Sequence, residues 1–318
     1  MTYLRIFSVV GLMWAMVPYL PNFTGVSIVQ SIPFPVYMAI SLLVLSIAFV
    51  FKRIAVTVVQ TIAMLSLLLP LLIPLGSKGS TPSDVISVTS WNTLYWDQDE
   101  NAEEFKASLR QLPGDVLLLQ EHIYWRPDLD SALHIDRSHF VKECCDYPFV
   151  WTKGELIIAS MFPGVQLDVD DEFVMAVRLD TGKGTLDVVN THVPVHVDVS
   201  RSFFSQGFWK HVQDAHIERN HSYAKLEEIL QTDAPTVIGG DFNSNFTMSV
   251  FRRAVANQTD ASLSDAIRGT YPTGKSVPAL WRIDHVLAKN VLWRECAVLS
   301  DDWVHNSDHG AVSCKIGV

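Results

Sequence analysis

Six short polar blocks constrain this chain more than any other feature. They are Ser90-Trp91-Asn92, Gln120-Glu121, Asn190-Thr191-His192, Gly240-Asp241-Phe242-Asn243, Asp284-His285 and Ser307-Asp308-His309, in that order over about 220 residues. The first four follow runs of β-branched and apolar residues: Val85-Ile86-Ser87-Val88, Val116-Leu117-Leu118-Leu119, Leu186-Asp187-Val188-Val189 and Thr236-Val237-Ile238-Gly239. Runs of this length read as strands, which would bring the polar residues together at one end of a sheet.

Strand-like and helix-like segments alternate around these blocks. Ala102 to Leu112 places Phe105, Leu109 and Leu112 on one helical face. Asp115 to Gln120 is apolar throughout, as in a strand buried on both faces. Leu156–Ser160, Phe173–Leu179 and Thr185–Asn190 read as strands, with Asp180-Thr181-Gly182-Lys183-Gly184 as a turn. A long helix over Phe208–Leu230, a strand at Val237–Gly239 and a helix over Met248–Ala256 follow. Arg282–Ala288, Leu292–Leu299 and Ala311–Ile316 close the chain as strands. Nothing repeats, and two packed sheets with outer helices accommodate this count.

The N-terminal part has a different composition. Met1 to Lys78 contains Arg5, Lys52, Arg53 and Lys78 and no acid. The remainder carries 20 basic residues against 34 acidic ones, a formal charge of −14, together with all 11 histidines. This shift and the run Gly76-Ser77-Lys78-Gly79-Ser80-Thr81-Pro82-Ser83 divide the chain into a membrane region (1–76), a linker (77–84) and a catalytic domain (85–318). Three apolar stretches, Ile6–Leu20, Val36–Phe51 and Ile54–Leu75, suggest about three transmembrane helices. Only the third clearly exceeds the usual spanning length of about 18 residues. Lys52-Arg53 and Arg5 belong on the cytoplasmic side, which puts the Pro21–Pro35 connection and the catalytic domain outside the cell membrane.

Four cysteines, Cys144, Cys145, Cys296 and Cys314, lie in that outer domain, where disulfides persist. Four thiols allow three complete pairings. Cys296 and Cys314 read equally as a bridge or as two buried thiols. Cys144-Cys145, beside Asp146 and His139, fits no familiar zinc spacing.

Together the polar blocks suit hydrolysis of a phosphoester with a hard divalent cation. Mg²⁺ takes oxygen ligands and keeps several waters, so one or two carboxylates hold it. Glu121, closing a buried strand, is the leading ligand, because a carboxylate there needs a compensating charge. Asp241 and Asn243, two apart, share a face if both are extended. The alternative is a turn in which they bond only backbone. His192 and His309 can stabilise charge developing on phosphate, and Asp284 can orient the His309 imidazole.

The order and wording of the blocks resemble the endonuclease/exonuclease/phosphatase superfamily, from about Val85 to the C-terminus. The resemblance implies a DNase I-like α/β fold, a four-layer sandwich of two mixed β-sheets flanked by helices. It implies Mg²⁺ or Mn²⁺ as cofactor, with Asn92, Glu121 and Asp308 at the metal. It further implies that Asp241 orients or deprotonates the attacking water and that Asn243 fixes phosphate or nucleophile. His192 would contact the scissile phosphate, and Asp284 would pair with His309. Many members carry a basic residue where this chain has Met161, so a substrate contact there does not carry over. His285 stands where an aromatic residue is frequent and reads first as a packed surface histidine and second as a neighbour of the site.

A nuclease neutralises a row of phosphates with basic residues, whereas this domain is acidic. A membrane anchor also brings a catalytic domain to lipid headgroups at high effective concentration. A lipid-linked phosphate or phospholipid headgroup is therefore the first reading of the substrate. An extracytoplasmic nuclease or nucleotide phosphatase is the second, and a non-catalytic membrane-binding module, which has no need of Glu121, Asp241 and His309 together, is the third. The region from Asn190 through the following helix is similar to membrane-anchored bacterial members linked to glycopeptide resistance, which suggests an undecaprenyl-type lipid or a phospholipid. The aromatic run Phe203-Phe204-Ser205-Gln206-Gly207-Phe208-Trp209, edged by Arg201 and Lys210, reads first as packing of a loop-to-helix junction and second as a bilayer contact. No protein partner is indicated.

Overall fold

The computed structural model describes residues 2–21, 24–72, 85–94, 102–124, 135–136, 138–197, 201–254, 259–260, 268–274, 278–291, 293–299 and 307–317. The N-terminal part folds as α1 (Thr2–Met16), a 3₁₀ turn (Val17–Tyr19), α2 (Thr24–Gln30), α3 (Phe34–Val50) and α4 (Ile54–Leu72). Then come β1 (Val85–Asn92), α5 (Ala102–Gln111), β2 (Val116–Gln120), β3 (Ile123–Tyr124), β4 (Ile135–Asp136) and α6 (Ser138–Cys145). The middle of the chain runs β5 (Phe149–Lys153), β6 (Leu156–Ser160), β7 (Gly164–Leu167), β8 (Val174–Asp180), β9 (Thr185–His192) and α7 (Gln206–Leu230). It ends with β10 (Thr236–Asp241), α8 (Ser249–Ala254), β11 (Thr259–Asp260), β12 (Asp284–Lys289), β13 (Trp293–Leu299) and β14 (Ala311–Gly317).

Two six-stranded sheets form, β13-β14-β1-β2-β6-β5 and β11-β12-β10-β9-β8-β7. Each is mixed: β1–β2 and β9–β10 are parallel, and the other pairs are antiparallel. Strand alternation explains the layers, since neighbouring side chains point to opposite faces. Val116 and Leu118 pack with Val188 and Val237 between the sheets. Leu117 and Leu119 face Phe105 and Leu109 of α5. On the far side Val189 and Ile238 pack beneath Tyr223 and Leu226 of α7 and Phe251 of α8. The result is the four-layer sandwich implied by the resemblance. Two buried amides fasten the sheets beneath the site. Asn190 Nδ2 donates to Leu119 O and Ile157 O, both at 2.8 Å, and Gln120 Nε2 donates to Asn190 Oδ1 at 2.6 Å.

The N-terminal helices pack on that second sheet's outer layer. Phe34, Tyr37 and Leu67 share a buried cluster with Phe242 and Phe251. The elbow after α2 is gripped by the loop following β10. Asn245 Nδ2 donates to Ser31 O (3.1 Å) and Ile32 O (3.0 Å), Thr247 Oγ1 donates to Gln30 O, and Trp281 Nε1 donates to Ser31 O at 3.2 Å. Gly11 lets α1 approach its neighbours, because a Cβ there would stand 3.0 Å from Val56 and 3.1 Å from Val44. The outward faces are apolar, with Val10, Met13, Leu43, Phe49, Ile54 and Ile62 all exposed.

Two expectations for this region need restating. Among the described residues no single helix is long and apolar enough to cross a membrane; α1 with its 3₁₀ extension and α2, bent by 97°, pass that test only as a pair. The Pro21–Pro35 connection, to which the sequence assigns no helix, contains the seven-residue α2. The linker and the end of the third stretch beyond Leu72 lie outside the described residues.

Candidate active site

The polar blocks meet at one end of the sandwich because parallel strands end there and antiparallel ones begin there. Asn92, Glu121, His192 and Asp241 come from strand ends. Asp284 opens β12, whose partner across the sheet is Asp241 itself. The Asn92 amide nitrogen donates to Glu121 Oε1 at 3.0 Å and to Asp241 Oδ2 at 3.1 Å. His192 Nε2 stands 3.6 Å from Glu121 Oε1 and 3.8 Å from Asp241 Oδ2. His309 Nδ1 lies 3.1 and 3.0 Å from the two oxygens of Asp284 and 3.8 Å from Asp241 Oδ2. Asp308 Oδ1 is 3.9 Å from His309 Nε2.

Backbone strain accompanies this convergence. Leu94, Glu121 and Asn243 have φ of 49°, 55° and 44°. These left-handed values are uncommon outside glycine and cluster where surroundings over-determine them. Asn243 also corrects the extended reading of Asp241-Phe242-Asn243. The chain turns instead, with Asn243 N donating to Asp241 Oδ1 at 2.7 Å. The turn does more than satisfy backbone, since Asp241 Oδ2 accepts from the Asn92 amide; Asn243 Nδ2 donates to Val193 O (3.0 Å) and lies 3.4 Å from His192 Nε2. Gly240 permits the approach to β9, because a Cβ there would fall 1.9 Å from Thr191 O.

Charge at the site is one-sided. Glu121, Glu155, Asp241, Asp284 and Asp308 surround two imidazoles. Burial opposes protonation of His192, but Glu155, Asp241 and Glu121 overcome it and raise its pKa to about 10. His309 is likewise opposed by burial and raised to about 10, by Asp284, Asp241 and Glu121. Both shifts favour the imidazolium form at neutral pH. Burial pushes the Glu121 carboxyl above its ordinary range, against the pull of His192 and Asn92. Burial and the adjacent Asp284 do the same to Asp241. Burial also opposes ionisation of Asp284, yet His309 holds it below its usual value.

The residues fit a hard cation. Glu121 Oε2 is buried without a hydrogen-bond partner, and an uncompensated buried carboxylate oxygen is costly. Asp241, Asp284 and His309 each bring one ligand atom within 4.8 Å of the others. His309 Nδ1, however, is committed to Asp284, which marks that pair as an oriented imidazole.

Several residues at the site escaped the sequence reading. Glu155 Oε1 accepts from His192 Nδ1 at 2.5 Å. It immediately precedes β6, antiparallel to β2, so its signal was an acid before a strand-like run. Arg219 of α7 is buried and joins two catalytic loops. Its guanidinium donates to Pro194 O (2.5 Å), Asn243 O (3.2 Å) and Ser244 Oγ (2.5 Å). Ser307 Oγ donates to Asn92 O at 2.7 Å, tying the last block to the first. His285 is no surface residue. It is fully buried against Phe242, Phe246 and Phe251, and its Nε2 donates to Ser244 O at 3.0 Å. Met161 is half exposed. The cysteines pair as Cys144–Cys145 and Cys296–Cys314, which removes the free-thiol alternative. In the aromatic run Phe208 is buried, whereas Phe203, Phe204 and Trp209 are exposed, so core packing explains only one of the four rings.

Solved structures share this fold. Sphingomyelinase C from Streptomyces griseocarneus is 16% identical, with 74% of this chain and 100% of that chain covered at a TM-score of 0.52. A truncated Caenorhabditis elegans TDP2 is 18% identical over 74% of this chain and 98% of that one, with a TM-score of 0.51. A Staphylococcus aureus beta toxin mutant with bound magnesium ions is 14% identical, covers 74% and 100%, and has a TM-score of 0.52. No curated protein matches the chain by sequence. The family model described as Endonuclease/Exonuclease/phosphatase matches residues 89–309, from within β1 to the last polar block, and the chain belongs to that family.

Proposed function

We propose that this chain is a divalent-metal-dependent phosphoester hydrolase, anchored in a membrane by its N-terminal helices and acting on a lipid-linked phosphate or phospholipid headgroup. One observation carries the hydrolytic reading: Asn92, Glu121, His192, Asp241, Asp284 and His309 converge in a strained, carboxylate-rich site around two imidazoles. Asn92, Glu121 and Asp308 would hold Mg²⁺ or Mn²⁺, both of which suit oxygen donors. When bound, such an ion neutralises phosphate charge and acts as a Lewis acid toward its oxygens. Asp241 takes the proton of the attacking water or orients it. His192 and His309 donate to phosphate oxygens as negative charge develops. Asp284 keeps His309 charged and directed, and Asn243 fixes phosphate or nucleophile.

Membrane attachment is supported by the exposed apolar faces of α1, α3 and α4. An extracytoplasmic catalytic domain agrees with Lys52-Arg53 in the turn between α3 and α4 and with the paired cysteines. The sphingomyelinase likeness and the −14 charge of residues 79–318 favour lipid over nucleic acid. The test is Mg²⁺-dependent release of phosphate or headgroup from lipid pyrophosphates, phospholipids, nucleotides and plasmid DNA, with wild type beside Glu121→Gln and His309→Ala. Lipid turnover that both substitutions abolish is the expected result. Nicked DNA with inert lipids would make the chain a tethered nuclease, and full activity in either variant would remove the mechanism. A reporter fused after Val318 that works only in the cytoplasm would overturn the orientation.

A further inference from the structure

Among the described residues from Val85 onward, large exposed apolar side chains are concentrated in one segment. Val195, Phe203, Phe204, Trp209 and Ile217 belong to it, with Phe204 94% exposed and Phe203 50%. The segment is built to present these rings. Ser205 caps α7 by accepting from Phe208 N at 3.1 Å, and its own Oγ and backbone N–H both donate to Ser202 O, at 2.7 and 2.8 Å. Phe208 is buried beneath, and Phe203 stacks edge-on against Phe204 and Trp209, with centroids 5.7 and 5.0 Å apart. Arg201 and Lys210 flank the rings.

Its position links the site to the N-terminal helices. The chain leaves His192 pinned to the catalytic loops, since Val193 N donates to Asp241 O at 2.9 Å and Pro194 O accepts from Arg219. His196, four residues on from His192, is buried beside Ser27 of α2. The start of α7 therefore follows a stretch of chain that runs from the site to α2, and α2 itself packs against α7. An acidic domain is not drawn to a bilayer by charge, so aromatic insertion is the contact open to it. Aromatic rings with a nearby cation suit the boundary between headgroups and acyl chains.

We infer that the exposed rings at the start of α7 form a bilayer-contact surface, in which Phe203, Phe204 and Trp209 insert beside the His192 edge of the site and hold it at headgroup level. The inference rests on the membrane-facing reading above and names the surface that turns toward the lipid. The test uses the full chain in phosphatidylcholine nanodiscs. Subtracting the emission of Trp209→Phe from that of wild type isolates Trp209, and dibrominated phosphatidylcholine should quench that difference. Phe203→Ser/Phe204→Ser, two exposed substitutions, should lower phospholipid turnover roughly tenfold or more and leave hydrolysis of a soluble phosphodiester unchanged. Quenching without any lipid turnover by wild type would keep the contact and remove the lipid-substrate reading. Lipid turnover with an unquenched Trp209 would keep that reading and overturn the contact. Concentration-dependent dimers that the double variant abolishes, again without quenching, would assign the surface to a second copy of the chain.

Discussion

Glu155→Gln tests whether an acid that lies outside all six polar blocks sets the charge at the site. The substitution keeps the shape of the group but gives His192 Nδ1 a neutral acceptor in place of a carboxylate 2.5 Å away. Burial by itself would lower the His192 pKa; Glu155 is first among the groups that raise it to about 10, with Asp241 and Glu121 remaining in the variant. A hydrogen bond between charged partners contributes about 2 kcal/mol, and one pKa unit corresponds to about 1.4 kcal/mol. His192 should therefore titrate roughly one to two units lower. Because its pKa is raised on folding, its charge is complete below the ordinary histidine range and is lost as pH rises through the folded value. The acid side of the profile should stay put while the alkaline limb moves toward neutrality. The assay is kcat/KM for a soluble phosphodiester with saturating Mg²⁺, from about pH 6 to about pH 10. An alkaline limb that coincides with that of wild type would show that Glu155 does not keep His192 charged.

Three further outcomes follow from the packing. Gly240→Ala drives a Cβ into Thr191 O at 1.9 Å, and chemical denaturation should show a loss of about 3 kcal/mol or more; a loss below about 1 kcal/mol would mean that β9 and β10 part easily. Burial, then Arg219, His216 and His211, lower the His196 pKa to about 3, so the unfolded chain binds a proton that the folded chain refuses between about pH 6.5 and that value. The His196 contribution should thus fall by about 2 kcal/mol on going from neutrality to about pH 5, read as the difference in slope between wild type and His196→Phe because the raised His192 and His309 act in the opposite sense; equal slopes would exonerate His196. Asn245→Ala combined with Thr247→Val strips hydrogen bonds from the carbonyls of Gln30, Ser31 and Ile32. Each buried carbonyl left unsatisfied costs about 1–3 kcal/mol, so thermal unfolding should move down by several degrees, and an unchanged midpoint would show that the elbow is held by apolar packing alone.

What the sequence displayed and what it hid separate along physical lines. Strands such as Val116–Gln120 and Leu156–Ser160 were legible because burial on both faces leaves a nearly unbroken apolar run. β5 and β7 were not, because they lie at sheet edges, where Phe149–Lys153 and Gly164–Leu167 are only partly buried and their pattern is mixed. α2 was hidden by its seven-residue length between prolines. Within the site, residues at the ends of parallel strands stood out because an acid or imidazole abruptly follows an apolar run. Glu155 precedes its run, so the same rule applied in the antiparallel direction would have found it.

Arg219 and His285 lay beyond any such rule. Arg219 sits among Glu218, His216 and Lys225 on a helix rich in charge, where one more basic residue suggests solvent. Its role comes from the partners that folding assembles: the carbonyls of Pro194 and Asn243 and the hydroxyl of Ser244, which reach it from two loops. His285 fills an aromatic niche between Phe242, Phe246 and Phe251 and spends its N–H on Ser244 O. Both fasten the loop that starts at Asn243, and two residues later the same loop takes hold of Ser31 and Ile32. Composition marks where the charge of the chain changes but says nothing of contact across that change. Here the loop after Asp241 carries the chemistry at one end and the docked helices at the other, with only two peptide units between Asn243 and the Asn245 side chain that holds Ser31 and Ile32.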